Sequence, residues 1–220
     1  MLPSISTAGA GRQASPIRRR PLIDWLKRFS FPALIDIGAN DGALGQALNT
    51  RFAFPVIHAF EPNPVHVDSL VAKGCQVHQV ALGDQPGEAD LLVTGYDAAS
   101  SLFPITDFLQ QQFPQVSFSH RERVRVARLD DEMAPIPGAM AKIDAQGAEQ
   151  SIIRGGPKVL GAAKVVLIEM TFAPLYEGGS LFEEVHDELV AIGFKMAGFD
   201  RQSTEPDGKP MFAHCFYLKG

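Results

Sequence analysis

The chain has 220 residues, 45% of them hydrophobic and 20% charged, with a formal net charge of -5. That is long enough to bury a full core without disulfide staples. Residues 1–20 contain Arg12, Arg18, Arg19 and Arg20 and no acid, so the remainder sets 16 basic against 25 acidic residues, a balance of -9. An acidic body argues against a nucleic-acid partner, which wants a basic face.

Taken in chain order, residues 1–20 are rich in Ser, Gly, Ala and Arg and read as a disordered basic leader. They lack the apolar h-region of a signal peptide. No run of 18 apolar residues exists, so no membrane span is expected. Cys75 and Cys215, the only cysteines, sit in apolar strand-like runs and suit a reducing compartment. A cytoplasmic protein with one domain over residues 21–220 is the expectation.

Leu22, Ile23, Leu26 and Phe29 share a face in a short helix within 21–30. Residues 31–37 read as a buried strand, and "LIDIGANDGALG" (34–45) carries it into a glycine-rich turn. A helix follows over "ALGQALNTRF", then strand two over 54–60. Asn63 caps the next helix, with Pro64 at its first position and Gly74 at its end. "CQVHQVAL" (75–82) is strand three, closed by "GDQPG". This β-α-β-α-β order implies a parallel sheet with helices on both faces.

The rhythm changes at 88–130, where "ADLLVTG" and the alternating "RVRVARL" predict an inserted hairpin at a sheet edge. It resumes at "AMAKIDAQGAEQSII" and continues through the strand "KVVLIEM". Ser180 and Glu183 predict a capping box for the helix "LFEEVHDELVAIG". "FKMAGF" and "FAHCFYLK" close the chain as an antiparallel hairpin. The expected class is a Rossmann-like α/β fold, with a mostly parallel sheet and helices on both faces.

Ligands of open α/β sheets bind at the carboxyl ends of the strands. A dinucleotide needs G-x-G-x-x-G; Gly38 fills the first position, but Asn40 and Ala43 stand at the other two, and Asp41 sits badly beside a pyrophosphate. S-adenosylmethionine (SAM) has other needs. A carboxylate in the first loop can hold its amino group, and a glycine lets the backbone approach. An acid after strand two can take the ribose hydroxyls, and Glu61 stands there. The plainer reading is that Asp36 and Asp41 cap a turn.

"DIGANDG", "FEPNP", "VALGDQPG", "SSL", "LDD", "KIDAQGAE" and "LIEMTFAPLYEG" occur in that order. Together they resemble the FkbM family of SAM-dependent methyltransferases over about residues 30–200. The resemblance implies a class I methyltransferase fold. It places Asp36, Gly38 and Asn40 along the methionine side of the cofactor, with Asp41 nearby and Glu61 on the ribose. It sets the backbone of Ala81, Leu82 and Gly83 against the adenine, with Asp84 an optional partner of the adenine amine. Ala145 and Gln146 stand where the family usually has Val and Glu, so Gln146 is given no acid-base role.

Methyl transfer to oxygen needs a base or a metal to lower the proton affinity of the hydroxyl. Asp144, Glu149 and Glu169 lie at the ends of strands four and five. Three converging carboxylates are costly unless paired, protonated or bound to a cation. They are the catalytic candidates, and Asp144 and Glu169 are candidate oxygen ligands for an ion such as magnesium. Helix N-terminal stabilisation is the alternative for Asp144 and Glu149. Lys142 can pair with one of the acids. Ser101 and Tyr176 are candidate acceptor contacts. His58 and His78 read as buried in strands, and His120 as a loop histidine that could act as base. No Asn/Asp-Pro-Pro-aromatic run follows strand four, which disfavours base methylation. The expected acceptor is a hydroxyl on a small molecule, sugar or glycolipid. The alternative is a non-catalytic SAM-binding partner subunit of a biosynthetic complex.

Overall fold

A computed structural model describes residues 22–220; the leader expected at residues 1–20 lies outside them. The chain runs α1 (Leu22–Leu26), β1 (Leu34–Ile37), α2 (Ala43–Phe52), β2 (Ile57–Phe60), α3 (Val67–Ala72), β3 (Gln76–His78), β4 (Ala81–Leu82) and β5 (Gly87–Thr94). It continues through α4 (Asp107–Gln112), β6 (Phe118–Ala127), α5 (Leu129–Glu132), β7 (Met140–Ile143), α6 (Glu149–Gly155) and α7 (Pro157–Ala162). It ends with β8 (Val165–Thr171), α8 (Phe182–Ala191), β9 (Phe194–Thr204) and β10 (Pro210–Lys219).

β1 and β7 are buried at every position, as central parallel strands covered on both faces must be. They belong to a seven-stranded sheet of order β3-β2-β1-β7-β8-β10-β9. β3, β2, β1, β7 and β8 pair in parallel. β10 runs antiparallel between β8 and β9, the terminal hairpin read from the sequence. One face packs on α6, α7 and α8 through Ile152, Leu160 and Val185; the other packs on α1 and α2 through Leu26 and Leu48. The strand order changes direction between β1 and β7, and a crevice is expected to open there.

Three local expectations are corrected. Strand three is broken: the Val80 N–H bonds to the His78 carbonyl at 2.9 Å, a tight turn that ends pairing with β2. β3 stays in the main sheet, while β4 leaves it and pairs with β6. The inserted hairpin β5–β6 therefore sits in a separate three-stranded sheet of order β4-β6-β5, not on an edge of the main one. Ser180 does not cap α8; the Glu184 carboxylate accepts the Leu181 N–H at 2.9 Å instead. Ser180 is spent elsewhere, on Gly147 and Glu149.

The histidine expectations divide. His58 and His78 face each other from β2 and β3, ring nitrogens 3.2 Å apart, and both are only half-buried. His120 is exposed in β6 and not in a loop. Both thiols are free, and burial pushes that of Cys215 up to about 12. Among the described residues no helix is long and apolar enough to cross a membrane.

Candidate active site

A cavity of about 250 Å³ opens at the crevice between β1 and β7. Its walls come from the turn after β1, the end of β2, the chain around β4, the 97–102 segment of the insertion and the turn after β7. The glycine turn explains the approach. Gly38 has a φ of +68°, and a Cβ there would fall 1.9 Å from the Asp144 carbonyl oxygen. Only glycine lets the turns after β1 and β7 come together.

Glu61 is buried and lines the cavity. Its Oε2 accepts the Asn40 N–H at 2.7 Å and its Oε1 the Asn63 N–H at 2.8 Å. The same two asparagines donate through their side chains to opposite oxygens of Asp97, each at 3.3 Å. His66 and Ser100 also bond to Asp97. Two asparagines thus bridge two acids and tie the insertion to the end of β2. Asn40 takes the left-handed conformation (φ 49°) that this arrangement requires, which asparagine tolerates. Burial lifts the Glu61 carboxyl above its ordinary range, and the two N–H donors hold it back.

Beneath the floor, Asp36 is fully buried, with Oδ1 3.1 Å from Lys142 Nζ. Lys142 also donates to the Ile37 and Gly38 carbonyls. Burial acts against the Lys142 ammonium, but Asp36, Asp144 and Glu61 together raise it; burial likewise lifts the Asp36 carboxyl, and Lys142 draws it back down. Asp36 does not line the cavity, whereas Lys142 does. Asp41 lines it and accepts the Ala43 N–H at 2.8 Å at the start of α2.

The end of β7 builds the other side. Gln146 Nε2 donates to Asp144 Oδ1 at 2.5 Å and to Glu169 Oε2 at 3.1 Å. Its Oε1 accepts from Tyr176 Oη at 2.6 Å, and its backbone oxygen accepts from Ser101 Oγ at 2.6 Å. Gln146 is held left-handed, at φ 54°, by these contacts. Burial, then the charges of Asp144 and Glu149, push the Glu169 carboxyl well above its usual range. Glu149 is engaged otherwise: it accepts the Ala145 and Gly147 N–H groups at 2.9 and 3.0 Å, with Ser180 Oγ 3.3 Å away. It shapes the turn rather than facing the cavity.

Of the sequence candidates, Gly38, Asn40, Asp41, Glu61, Ala81, Leu82, Ser101 and Asp144 line the cavity. Gly83, Asp84, Glu149, Glu169 and Tyr176 do not. Gly83 instead offers its carbonyl to α6, 2.0 Å from where a Cβ on Gly155 would stand. Sequence reasoning missed Asp97, whose only signal was its place three residues before the "SSL" motif. It also missed His214, whose Nε2 lies 3.7 Å from Glu169 Oε1. Among the described residues, Asp144, Glu169 and His214 each offer one ligand atom, all within 4.8 Å of one another.

The methyltransferase FkbM domain model matches residues 36–196. The 2-O-methyltransferase NoeI of Sinorhizobium fredii (strain NBRC 101917 / NGR234) is 25% identical over 166 residues, covering 67% of this chain and 66% of that protein. The chain thus spans just under two thirds of that relative's length. Magnesium protoporphyrin IX methyltransferase (ChlM) from Synechocystis PCC 6803, solved with bound SAM, superposes with a TM-score of 0.50 at 9% identity, covering 90% of this chain and 76% of that one. At that identity the likeness is one of fold, and the fold is that of the class I SAM methyltransferases. The family match runs from Asp36 at the end of β1 to Met196 in β9, and the chain belongs to the FkbM methyltransferase family.

Proposed function

We propose that this methyltransferase moves a methyl group from SAM to a hydroxyl oxygen of a small molecule, a sugar or a lipid-linked saccharide. The observation that carries the reading is one cavity lined by both Glu61 and Asp144. Each Glu61 oxygen accepts one backbone N–H and keeps capacity for a hydroxyl donor. The apolar residues Phe60, Val80 and Leu82 beside it suit a flat base. The residues present therefore fit the cofactor.

When bound, SAM supplies an electrophilic methyl on a sulfonium. Glu61 holds the ribose diol, and the Gly38–Asn40 backbone lies along the amino-acid end. The Asp36–Lys142 pair sets the turn from below. Asp144, in the cavity lining, stands where the acceptor proton can be taken up, and Glu169 is tied to it through Gln146. The acidic balance of residues 21–220 argues against a nucleic-acid backbone, and the 2-O-methyltransferase relative supports an oxygen acceptor.

Incubation with trideuteromethyl-SAM and a panel of hydroxylated acceptors, read by mass spectrometry, tests this. A labelled methyl ether is expected. Labelling on nitrogen or carbon alone would overturn the oxygen assignment. Cofactor binding without turnover on any acceptor would favour a non-catalytic partner subunit, a reading supported by Gln146 standing between the two acids where the family usually has Glu.

A further inference from the structure

Across the sheet, Asp36 pairs with Lys142 in the β1–β7 register. Two residues further along lie Gly38 and Asp144, on the same face. Ile143 pairs with Ile168, so Glu169 comes next to Asp144, and Glu169 pairs directly with His214 of β10. Gly38, Asp144, Glu169 and His214 thus form one row over four adjacent strands.

The charges in this row do not balance. Asp36 and Lys142 compensate each other at 3.1 Å, and Lys142 stands 4.0 Å from Asp144. Glu149 is satisfied by backbone N–H groups. Asp144 and Glu169 are bridged by Gln146, a neutral amide that donates hydrogen bonds but no charge. With only Lys142 at 4.0 Å from Asp144 and His214 at 3.7 Å from Glu169 beside them, two carboxylates brought together are costly while both are ionised.

We propose that Asp144, Glu169 and His214 bind a divalent transition-metal ion of the zinc, iron(II) or cobalt(II) kind. An imidazole with two carboxylates selects these ions over magnesium, which prefers all-oxygen ligands and is only a candidate from the sequence. Bonds of about 2.0–2.2 Å in tetrahedral geometry put ligand atoms roughly 3.3–3.5 Å apart. The His214–Glu169 separation is 3.7 Å and all three ligand atoms lie within 4.8 Å, so binding requires them to draw together by at most roughly 1.5 Å. Three protein ligands leave a position open, the arrangement of catalytic sites. Asp144 carries the site to the cavity wall, where the acceptor oxygen would enter. The ion's use in polarising that oxygen rests on the methyl-transfer reading; its binding does not.

Titration of the metal-free full chain with cobalt(II), followed by visible absorption, tests the proposal. Ligand-field bands saturating at one equivalent are expected. His214→Ala and Glu169→Gln should each weaken binding by at least roughly tenfold, the lower end of what even ligand-orienting groups contribute. S-adenosylhomocysteine affinity, measured on the same samples, should stay unchanged. If His214→Ala loses homocysteine-ligand binding through misfolding, His214→Gln carries the test. Absent bands, bands indifferent to both substitutions, or displacement of cobalt by equimolar magnesium would each overturn the proposal. Loss of homocysteine-ligand binding in the wild type would instead strike the methyl-transfer reading.

Discussion

Gly38→Ala probes the closest approach in the site. A Cβ there meets the Asp144 carbonyl oxygen at 1.9 Å, against 3.4 Å or more for ordinary contact, and the residue sits at φ +68°. The left-handed conformation costs about 1–2 kcal/mol, and overpacking about 1–3 kcal/mol more. Together they give about 2–5 kcal/mol, or roughly 4–20 °C in Tm for a chain of this size. Two controls separate the parts. Gly208 has a φ of +93° with nothing within 4 Å, so Gly208→Ala reports strain alone. Gly155→Ala reports contact alone, since its Cβ would stand 2.0 Å from the Gly83 carbonyl oxygen without a left-handed φ. Differential scanning fluorimetry should show a larger loss at Gly38 than at either control. Turnover should fall by about a hundredfold, as misplacement of about 1 Å commonly produces. Equal Tm losses for Gly38→Ala and Gly208→Ala would refute the close packing of the turns after β1 and β7.

Other substitutions read the remaining parts. Asp36→Asn should cost about 3–5 kcal/mol, because it leaves the Lys142 ammonium buried without its partner. Adding Lys142→Met should recover most of that in chemical denaturation; no recovery would mean the two do not act as a pair. Glu61→Gln removes a charged acceptor, worth about 1.5–3 kcal/mol, so calorimetry should show roughly ten- to hundredfold weaker S-adenosylhomocysteine binding. Unchanged affinity would move the ribose elsewhere. Burial lowers both His58 and His78 below the ordinary 6.5, and the charge of His78 lowers His58 further. The unfolded chain then takes up protons first, so this contribution is present above pH 6.5 and lost as pH falls below it. The raised carboxylates Glu61 and Glu169 act in the opposite sense, so the readout is the difference between wild type and His58→Gln/His78→Gln. The variant should lose less stability between neutral and acid pH, and parallel curves would contradict the assignment.

The fold was legible because burial on both faces writes itself into the strands. "LIDI" and "MAKI" are apolar runs interrupted only by Asp36 and Lys142, which proved to be each other's partners. Glu61 was legible because position after strand two is a chain-local fact. The break at Val80 was not, since "CQVHQVAL" carries no Gly or Pro to mark it. Asp97 and His214 were hidden for another reason. Their roles depend on where the 97–102 segment folds back and on the register of β10 against β8, long-range facts that no local pattern encodes. Gln146 was noticed as a departure from its family, but its two-sided hydrogen bonding appears only once β7, β8 and the Tyr176 loop are brought together.

The methyl donor is assigned to the cavity between β1 and β7. A thermal shift with S-adenosylhomocysteine, with NADH alongside, tests it most directly. At a hundredfold excess over Kd a specific ligand adds about 2.7 kcal/mol, which is roughly 5–11 °C here. That shift is expected with S-adenosylhomocysteine, little with NADH, and a clearly smaller one in Glu61→Gln at the same ligand concentration. No shift at millimolar S-adenosylhomocysteine, or an equal one with NADH, would contradict it.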